Sequence, residues 1–180
     1  ELINDIMVKM IYLLQNIHDL FVLHRDIKPH HFMIKNGDIY IIDFGISTFY
    51  VDENNKIIEN TEKTDIIGSP NYTSYFVHTG NTYSRRDDLI SIGYIYLFMF
   101  NKELPWEYIY YTNNVQEYDV DITSIFHPLN IETKNKKEIT SIEKYYNKIN
   151  NIIGTYFTKV YNLGYYDTPN YVEYSTIFYY

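Results

Sequence analysis

The stretch His24-Arg25-Asp26-Ile27-Lys28-Pro29, followed downstream by Asp43-Phe44-Gly45, determines the fold that we expect for this chain of 180 residues. Between the two motifs, the apolar run 32–35 predicts a β-strand, and 39–42 predicts a second strand. Asn36-Gly37 is a preferred pair for a two-residue hairpin turn between strands. The predicted hairpin therefore delivers the second acidic motif close to the loop that carries the first.

Two carboxylates and a lysine at this spacing are the groups that phosphoryl transfer needs. Asp26 would orient a hydroxyl nucleophile, Asp43 would hold magnesium on the phosphates, and Lys28 would neutralise charge on the transferred group. The alternative is an aspartate in a polar turn beside an unrelated Asp-Phe-Gly. The secondary structure predicted around each motif argues against that alternative.

These motifs resemble the catalytic loop and metal loop of eukaryotic-type protein kinases. Gly68-Ser69-Pro70-Asn71-Tyr72-Thr73-Ser74, then Ser84-Arg85-Arg86-Asp87-Asp88-Leu89 and Leu104-Pro105-Trp106, follow in an order similar to the casein kinase 1 family. The segment 165–171 resembles that family's closing motif. The resemblance implies a fold that is mainly α with short β-hairpins. It corresponds to the C-terminal (large) lobe of the protein kinase fold, as a single domain over residues 1–180.

The resemblance also implies an activity, which is that of an ATP-dependent serine/threonine protein kinase acting on protein substrates. Asp26 and Lys28 would be the catalytic residues, and a lysine at this place is typical of serine/threonine-specific enzymes. Ser69 matches the family's threonine that supports the Asp-Lys pair. Lys28, His31 and Asp43 would contact ATP and its metal, with His31 and Asp43 as metal ligands.

Other residues of these motifs have architectural roles in the family. His24 and Phe44 would pack together, and Asp88 would receive backbone N–H groups of the catalytic loop. Arg25 is a candidate for binding a phosphorylated residue of the activation loop.

His31 is the main departure from the family pattern, which has an asparagine holding the second metal at that place. Imidazole offers nitrogen, whereas magnesium prefers hard oxygen ligands. If the protein is active, we therefore expect its metal preference to shift from Mg²⁺ towards Mn²⁺. His30 and His31 together with His24 suggest a zinc site as an alternative, but the catalytic loop already explains where they lie.

Two further departures concern the nucleotide and the substrate. No Gly-rich loop, strand lysine or partner glutamate is present, so we expect a small lobe from the upstream part of the chain and weak ATP binding by residues 1–180 alone. Asn71 replaces an arginine that helps the family bind acidic or phosphorylated substrates. The segment 107–121 also contains no lysine or arginine, which disfavours such substrates here.

Two classes of function therefore remain open. The first is an active kinase, favoured because Asp26, Lys28 and Asp43 are retained together. The second is a pseudokinase that acts as a binding module or scaffold, favoured by His31. A small-molecule phosphotransferase with a His-x-Asp loop is disfavoured by Lys28-Pro29.

Net charge and composition limit the partners and the cellular compartment that we expect for this protein. The net charge of −8 disfavours nucleic acid and anionic membranes as partners, and the absence of cysteine excludes disulfides and thiolate metal sites. We expect an intracellular, cytoplasmic protein. The lack of alanine and the abundance of Ile, Asn, Tyr and Lys indicate an AT-rich coding sequence, such as that of a large DNA virus or a parasite.

Hydrophobic periodicity predicts the remaining elements. Helices are expected over 3–19 and 139–160, and the run 89–100 is expected to be a buried central helix because it is apolar on all sides. A short strand is predicted over 21–23, and 171–180 is expected to contain a short helix. The segments 46–67 and 108–137 are expected to be loops, the first of them mobile and the second with one short helix.

Overall fold

A computed structural model of the chain describes residues 1–112 and 121–179. The described part is mainly helical, with short strands confined to the first third of the chain. The α-helices are α1 Leu2–Asp19, α2 Tyr75–His78, α3 Arg85–Asn101, α4 Tyr108–Thr112, α5 Pro128–Lys137, α6 Ile139–Tyr146, α7 Asn151–Tyr161 and α8 Tyr171–Thr176. The strands are β1 Val22–Leu23, β2 Phe32–Lys35, β3 Asp38–Ile41 and β4 Thr48–Phe49. Single 3₁₀ turns span Pro29–His31 and Ile177–Tyr179.

Helix α3 lies at the centre of the fold, as its apolar run predicts. Every residue from Leu89 to Leu97 is buried. The helix begins with a capping box, in which Ser84 and Asp87 exchange side-chain and backbone hydrogen bonds. It ends where Lys102 adopts a left-handed conformation with φ of 65°. The predicted central helix is therefore confirmed.

Helices α1 and α7 pack against α3, and α8 packs on α1. The buried side chains of α1 recur at intervals of three or four residues: Met7, Met10, Ile11, Leu14 and His18. This spacing forms one apolar face along the helix. The prediction of an amphipathic helix over 3–19 is confirmed.

The β2–β3 hairpin also matches its prediction. Phe32 pairs with Ile41 and Lys35 with Asp38, which leaves a turn of two residues. In that turn Asn36 has φ of 55° and Gly37 has φ of 85°, the positive angles that a type I′ turn requires. Strand β1 pairs with β4. The loop predicted over 46–67 thus contains a strand.

Two other predictions of secondary structure are wrong. The single helix expected over 139–160 is two helices, because Asn150 caps α7 by accepting a hydrogen bond from the backbone N–H of Ile153 at 3.1 Å. The segment 108–137 contains α4 and α5 instead of one short helix. Helix α5 starts with Pro128 at its first turn, a position that favours proline. Residues 113–120 of this segment lie outside the described part.

Among the described helices, none is both long and apolar enough to cross a bilayer.

Candidate active site

The catalytic loop and the Asp-Phe-Gly turn each hold one residue in a rare backbone conformation. Arg25 has φ of 69° and Asp43 has φ of 64°. Non-glycine residues occupy this left-handed region only where the surrounding structure holds them there, and such strain is concentrated at functional sites. Each motif therefore contains one strained position, although this conformation also occurs elsewhere in the described chain, at Phe21, Asn36, Asn55 and Lys102.

Asp26, Lys28 and Ser69 form a closed network of hydrogen bonds. Lys28 Nζ donates to Asp26 Oδ2 at 2.8 Å and to Ser69 Oγ at 2.9 Å. The other carboxylate oxygen, Asp26 Oδ1, accepts from the backbone N–H of Ser69 at 2.9 Å. Ser69 therefore supports both members of the pair, as the sequence predicts.

This network determines the charge of Asp26. Burial alone would raise the pKa of the Asp26 carboxyl group, but the hydrogen bonds from Lys28 and Ser69 and the charge of Lys28 outweigh burial, so the pKa is lowered. The carboxylate is consequently ionised at neutral pH. An ionised carboxylate that is only 13% exposed is a fixed hydrogen-bond acceptor for a hydroxyl group.

Gly68 lets the Ser69 loop approach the catalytic loop closely. Its φ is +90°, and a Cβ atom at this position would lie 2.3 Å from the carbonyl oxygen of Arg25. That oxygen belongs to the backbone and cannot move aside as a flexible side chain can. The position therefore needs glycine both for its backbone angle and for the space.

We expect Gly68→Ala to lower kcat/KM by at least about tenfold, because misplacing a catalytic group by about 1 Å can cost 10²-fold. Backbone strain should also lower the free energy of unfolding by about 1–3 kcal/mol. Steady-state kinetics and urea unfolding would measure the two effects. Gly37→Ala is the matched control, because Gly37 has φ of +85° but no atom within 4 Å of the added Cβ. Equal effects of the two substitutions would show that contact with Arg25 is unimportant.

Asp88 of α3 holds the catalytic loop from beneath and is fully buried. Its Oδ2 accepts from the backbone N–H of His24 at 2.9 Å and from His18 Nε2 at 3.0 Å. Its Oδ1 accepts from the backbone N–H of Arg25 at 3.1 Å and from the Tyr83 hydroxyl at 3.1 Å. The predicted architectural role of Asp88 is confirmed.

His24 connects the two motifs. Its ring lies 5.0 Å from that of Phe44, edge to face, and its Nε2 donates to the carbonyl oxygen of Ile42 at 3.0 Å. The predicted packing of His24 on Phe44 is confirmed. Arg25, by contrast, donates its Nε–H to the carbonyl oxygen of Ile46 at 2.6 Å. Its role towards a phosphorylated residue stays a prediction.

His31 lies between the two aspartates. Its Nδ1 is 2.8 Å from the carbonyl oxygen of Asp26, and a carbonyl only accepts, so Nδ1 carries the proton. Its Nε2 is 3.3 Å from Asp43 Oδ2. In the neutral tautomer this Nε2 has a free lone pair next to a carboxylate oxygen.

The residues present fit a divalent metal at Asp43. Asp43 is 60% exposed, and magnesium in kinase sites is held by one or two carboxylates together with substrate phosphates. His31 would add a nitrogen ligand, and its Nδ1–H donates to a backbone carbonyl, an arrangement usual for metal-binding histidines. No group of three His, Asp or Glu side chains able to hold a metal is found within residues 1–112 and 121–179. A metal held by Asp43 and His31 would take its remaining ligands from water or from a bound phosphate group.

Nothing in the sequence around Lys137 marks it as a buried residue. Lysine side chains are almost never fully buried unless they are paired, yet the side chain of Lys137 is buried. Its side chain is fully buried, and Nζ donates to the carbonyl oxygens of Pro70 at 2.6 Å and Thr73 at 2.5 Å. Burial lowers the pKa of Lys137 well below its usual value. Lys137 thus holds the Ser69 loop against the core.

The chain is similar in sequence to known protein kinases. Residues 1–160 match the protein kinase domain family. The chain is 30% identical to casein kinase I homolog RAG8 of Kluyveromyces lactis, over 93% of this chain and 30% of the relative. It is 30% identical to casein kinase I homolog 2 of Schizosaccharomyces pombe, over 94% of this chain and 38% of the relative. It is 36% identical to casein kinase I homolog 1 of Schizosaccharomyces pombe, over 62% of this chain and 26% of the relative. The chain therefore spans roughly a third of the length of these relatives.

Proposed function

Because this chain belongs to the protein kinase domain family and is similar to casein kinase I, we propose that it carries the catalytic centre of a serine/threonine protein kinase. The reaction is transfer of the γ-phosphoryl group of ATP to a serine or threonine hydroxyl of a protein. The observation that carries the proposal is the Lys28 ammonium, which bridges Asp26 and Ser69 at 2.8 and 2.9 Å.

In this mechanism the ionised Asp26 accepts a hydrogen bond from the substrate hydroxyl and orients its oxygen for attack. An ammonium group has three N–H donors, and Asp26 and Ser69 accept two from Lys28. The third is available to the transferred phosphoryl group. Asp43 and His31 would hold a divalent metal, which neutralises phosphate charge when it is bound.

We further propose that a second lobe, supplied by another part of the protein, covers the exposed face of the β2–β3 hairpin. Met33 and Tyr40 pair across the two strands and are 55% and 49% exposed. Ile42 and Phe44 beside Asp43 are 39% and 46% exposed. Clustered exposed apolar side chains mark an interaction surface, and this surface adjoins the proposed metal ligand. It suits the adenine ring and the second wall of an ATP site.

Transfer of radiolabelled phosphate by the whole protein tests the function. Casein and the protein itself are the acceptors, and hydrolysis of the labelled product identifies the phosphorylated amino acid. Phosphoserine or phosphothreonine is expected. Label found only on tyrosine would contradict the proposed specificity, and nucleotide binding without any transfer would favour the alternative function.

That alternative is a pseudokinase that uses the same fold for binding. His31 is the observation that favours it, because an imidazole beside Asp43 replaces an oxygen ligand of the second metal. Retention of the Asp26–Lys28–Ser69 network argues against it, since a binding module has no need of a catalytic lysine held in this way.

His31 also gives a testable metal preference. We expect activity to be higher with Mn²⁺ than with Mg²⁺, because manganese accepts imidazole nitrogen more readily. His31→Asn should lower the Mn/Mg ratio of initial rates and raise the rate with Mg²⁺. Rates at saturating concentrations of each metal would measure this.

The neighbouring His30→Asn is the control and should leave the Mn/Mg ratio unchanged. Both variants remove an imidazole from the same turn, but only His31 approaches Asp43. If His31→Asn leaves the ratio as it is in the natural protein, His31 is not a metal ligand.

A further inference from the structure

A groove of about 800 Å³ begins at the catalytic Lys28 and Ser69 and extends away from the hairpin. We call it the acceptor groove. Its walls are mostly apolar and are formed by Ile66, Pro70, Tyr72, Phe98, Tyr110 and Ile122. A volume of this size is typical of sites that bury a ligand or a few side chains.

The far wall of the groove is fixed by a buried asparagine. Asn130 is 1% exposed; its Nδ2 donates to the carbonyl oxygen of Ile122 at 2.7 Å, and its Oδ1 accepts from the Tyr110 hydroxyl at 2.7 Å. With its hydroxyl engaged in this way, Tyr110 contributes an apolar ring. Ile66 donates its backbone N–H to the carbonyl oxygen of Thr123 at 2.7 Å, which joins this wall to the segment before Ser69. The groove is therefore preformed.

The charges along the groove are unsuited to acidic ligands. The charge of Lys28 is offset by Asp26, 2.8 Å away, and His31 Nδ1 donates to the backbone carbonyl oxygen of Asp26 at 2.8 Å. Apart from these, His30 and Glu107 are the lysine, arginine, histidine or acidic residues of the described lining, which contains no arginine. A carboxylate on the wall and a net charge of −8 for the chain both disfavour acidic or phosphorylated segments.

Resting on the proposed kinase function, we propose that the acceptor groove binds a large apolar side chain next to the phosphorylated serine or threonine. The protein would thus select substrates with leucine, isoleucine or phenylalanine near the acceptor over substrates with acidic or phosphorylated residues there. The occupant is a segment of a substrate protein, because the groove is lined by Lys28 and Ser69, the two residues hydrogen-bonded to the Asp26 carboxylate that orients the acceptor hydroxyl.

Asn71 supports this assignment. Its backbone carbonyl oxygen accepts from Trp106 Nε1 at 2.8 Å, which fixes the loop at the groove wall. Its side-chain Oδ1 is buried and has no hydrogen-bond donor within the described residues. A buried acceptor without a donor costs free energy, and a rotation of the Asn71 amide towards the groove that it lines would let a backbone N–H of a bound segment satisfy it. This contact is neutral and favours no acidic residue.

The test uses the whole protein and three sets of serine peptides, and the sets differ in the identity of one residue near the acceptor serine. That residue is leucine, aspartate or phosphoserine, and it is moved through the three positions on either side of the acceptor. Fluorescence anisotropy gives the Kd of each peptide, and phosphate transfer gives kcat/KM. At the best position we expect the leucine peptide to be favoured about tenfold or more in both measurements, as burial of one such side chain allows.

Two variants locate the effect. Ile122→Ser should remove most of the preference for leucine, whereas Ile131→Ser should not. Ile131 is the matched control because it is an isoleucine of similar exposure, 39% against 37%, and does not line the groove. Asn71→Arg should raise kcat/KM for the aspartate and phosphoserine peptides relative to leucine, since it adds a free positive charge at the wall.

The outcomes separate this inference from the proposed function. Preferential binding of the leucine peptide without transfer would retain the groove assignment and reject the kinase activity. Preference of the natural protein for aspartate or phosphoserine would overturn the groove assignment, as would equal behaviour of Ile122→Ser and Ile131→Ser. Sedimentation showing a dimer that Ile122→Ser dissociates, with no peptide bound, would assign the groove to a second copy of the chain and would also overturn the proposal.

Discussion

Asp26→Asn is expected to reduce phosphoryl transfer by about 10²–10⁴-fold, the range typical of a positioned acid–base group. Asparagine keeps the size of the side chain, so an oxygen can still accept from the backbone N–H of Ser69, which now lies 2.9 Å from Asp26 Oδ1. The amide cannot carry the negative charge that pairs with Lys28 and accepts the substrate hydroxyl. The measurement is the initial rate of labelled phosphate transfer by the whole protein to casein and to itself.

The fold should be little affected, since the catalytic loop is held by Asp88. Circular dichroism and thermal unfolding would confirm this. Asp38→Asn is the matched control, because it makes the same chemical change at an exposed position beside the hairpin turn. Activity of Asp26→Asn equal to that of the natural protein would show that Asp26 is not the catalytic carboxylate.

The network of Asp26, Lys28 and Ser69 was predictable because its parts are close in sequence or belong to motifs with fixed spacing. Asp26 and Lys28 are two residues apart, and Asn36-Gly37 defines the turn that brings Asp43 back. The apolar run that forms α3 was predictable for a different reason. A helix that is apolar on all sides has no solvent-facing surface and must be buried.

The burial of Lys137 was not predictable, because the contacts that decide it are distant in sequence. Nothing near Lys137 in the sequence indicates that its ammonium group donates hydrogen bonds to the carbonyl oxygens of Pro70 and Thr73. An exposed and a buried lysine look alike in a lysine-rich helix. The break between α6 and α7 does have a local signal, because Asn147 ends α6 and Asn150 caps α7. The apolar periodicity continues across the break and therefore predicts one helix.

The support beneath Asp88 was predicted only in part. Its contact with the catalytic loop follows from the family pattern, whereas its contact with His18 of α1 does not. His18 also lies 2.6 Å, through Nδ1, from the Tyr171 hydroxyl of α8. Three helices that are far apart in sequence therefore meet at one buried carboxylate. The catalytic loop is thus attached to the core of the fold, and Asp88 should govern stability as well as activity.

Asp88→Asn is expected to lower the free energy of unfolding by about 3–5 kcal/mol, the range seen when one partner of a buried ionic network is removed. Each carboxylate oxygen accepts from two donors. An amide NH₂ in place of one oxygen faces two donors and can accept from neither. Because a domain is stable by only about 5–15 kcal/mol, the variant should be partly unfolded at moderate temperature and its activity reduced accordingly. Urea unfolding would measure the loss.

The pH dependence of this loss of stability shows whether it comes from the negative charge of Asp88 or from the packing of its side chain. Burial would raise the pKa of Asp88, but the hydrogen bonds and charge of His18 and the backbone N–H of His24 outweigh it, so the pKa is lowered in the folded protein. The stabilisation is then fully present above the ordinary carboxyl pKa near 3.9 and is lost as the pH falls through the lowered folded value. The stability difference between the natural protein and Asp88→Asn should therefore shrink as the pH falls through the lowered folded pKa of Asp88. Tyr83→Phe, which removes one neutral donor from the same carboxylate, should cost only about 0.5–1.5 kcal/mol. A loss for Asp88→Asn no greater than that for Tyr83→Phe would mean that the carboxylate does not anchor the catalytic loop.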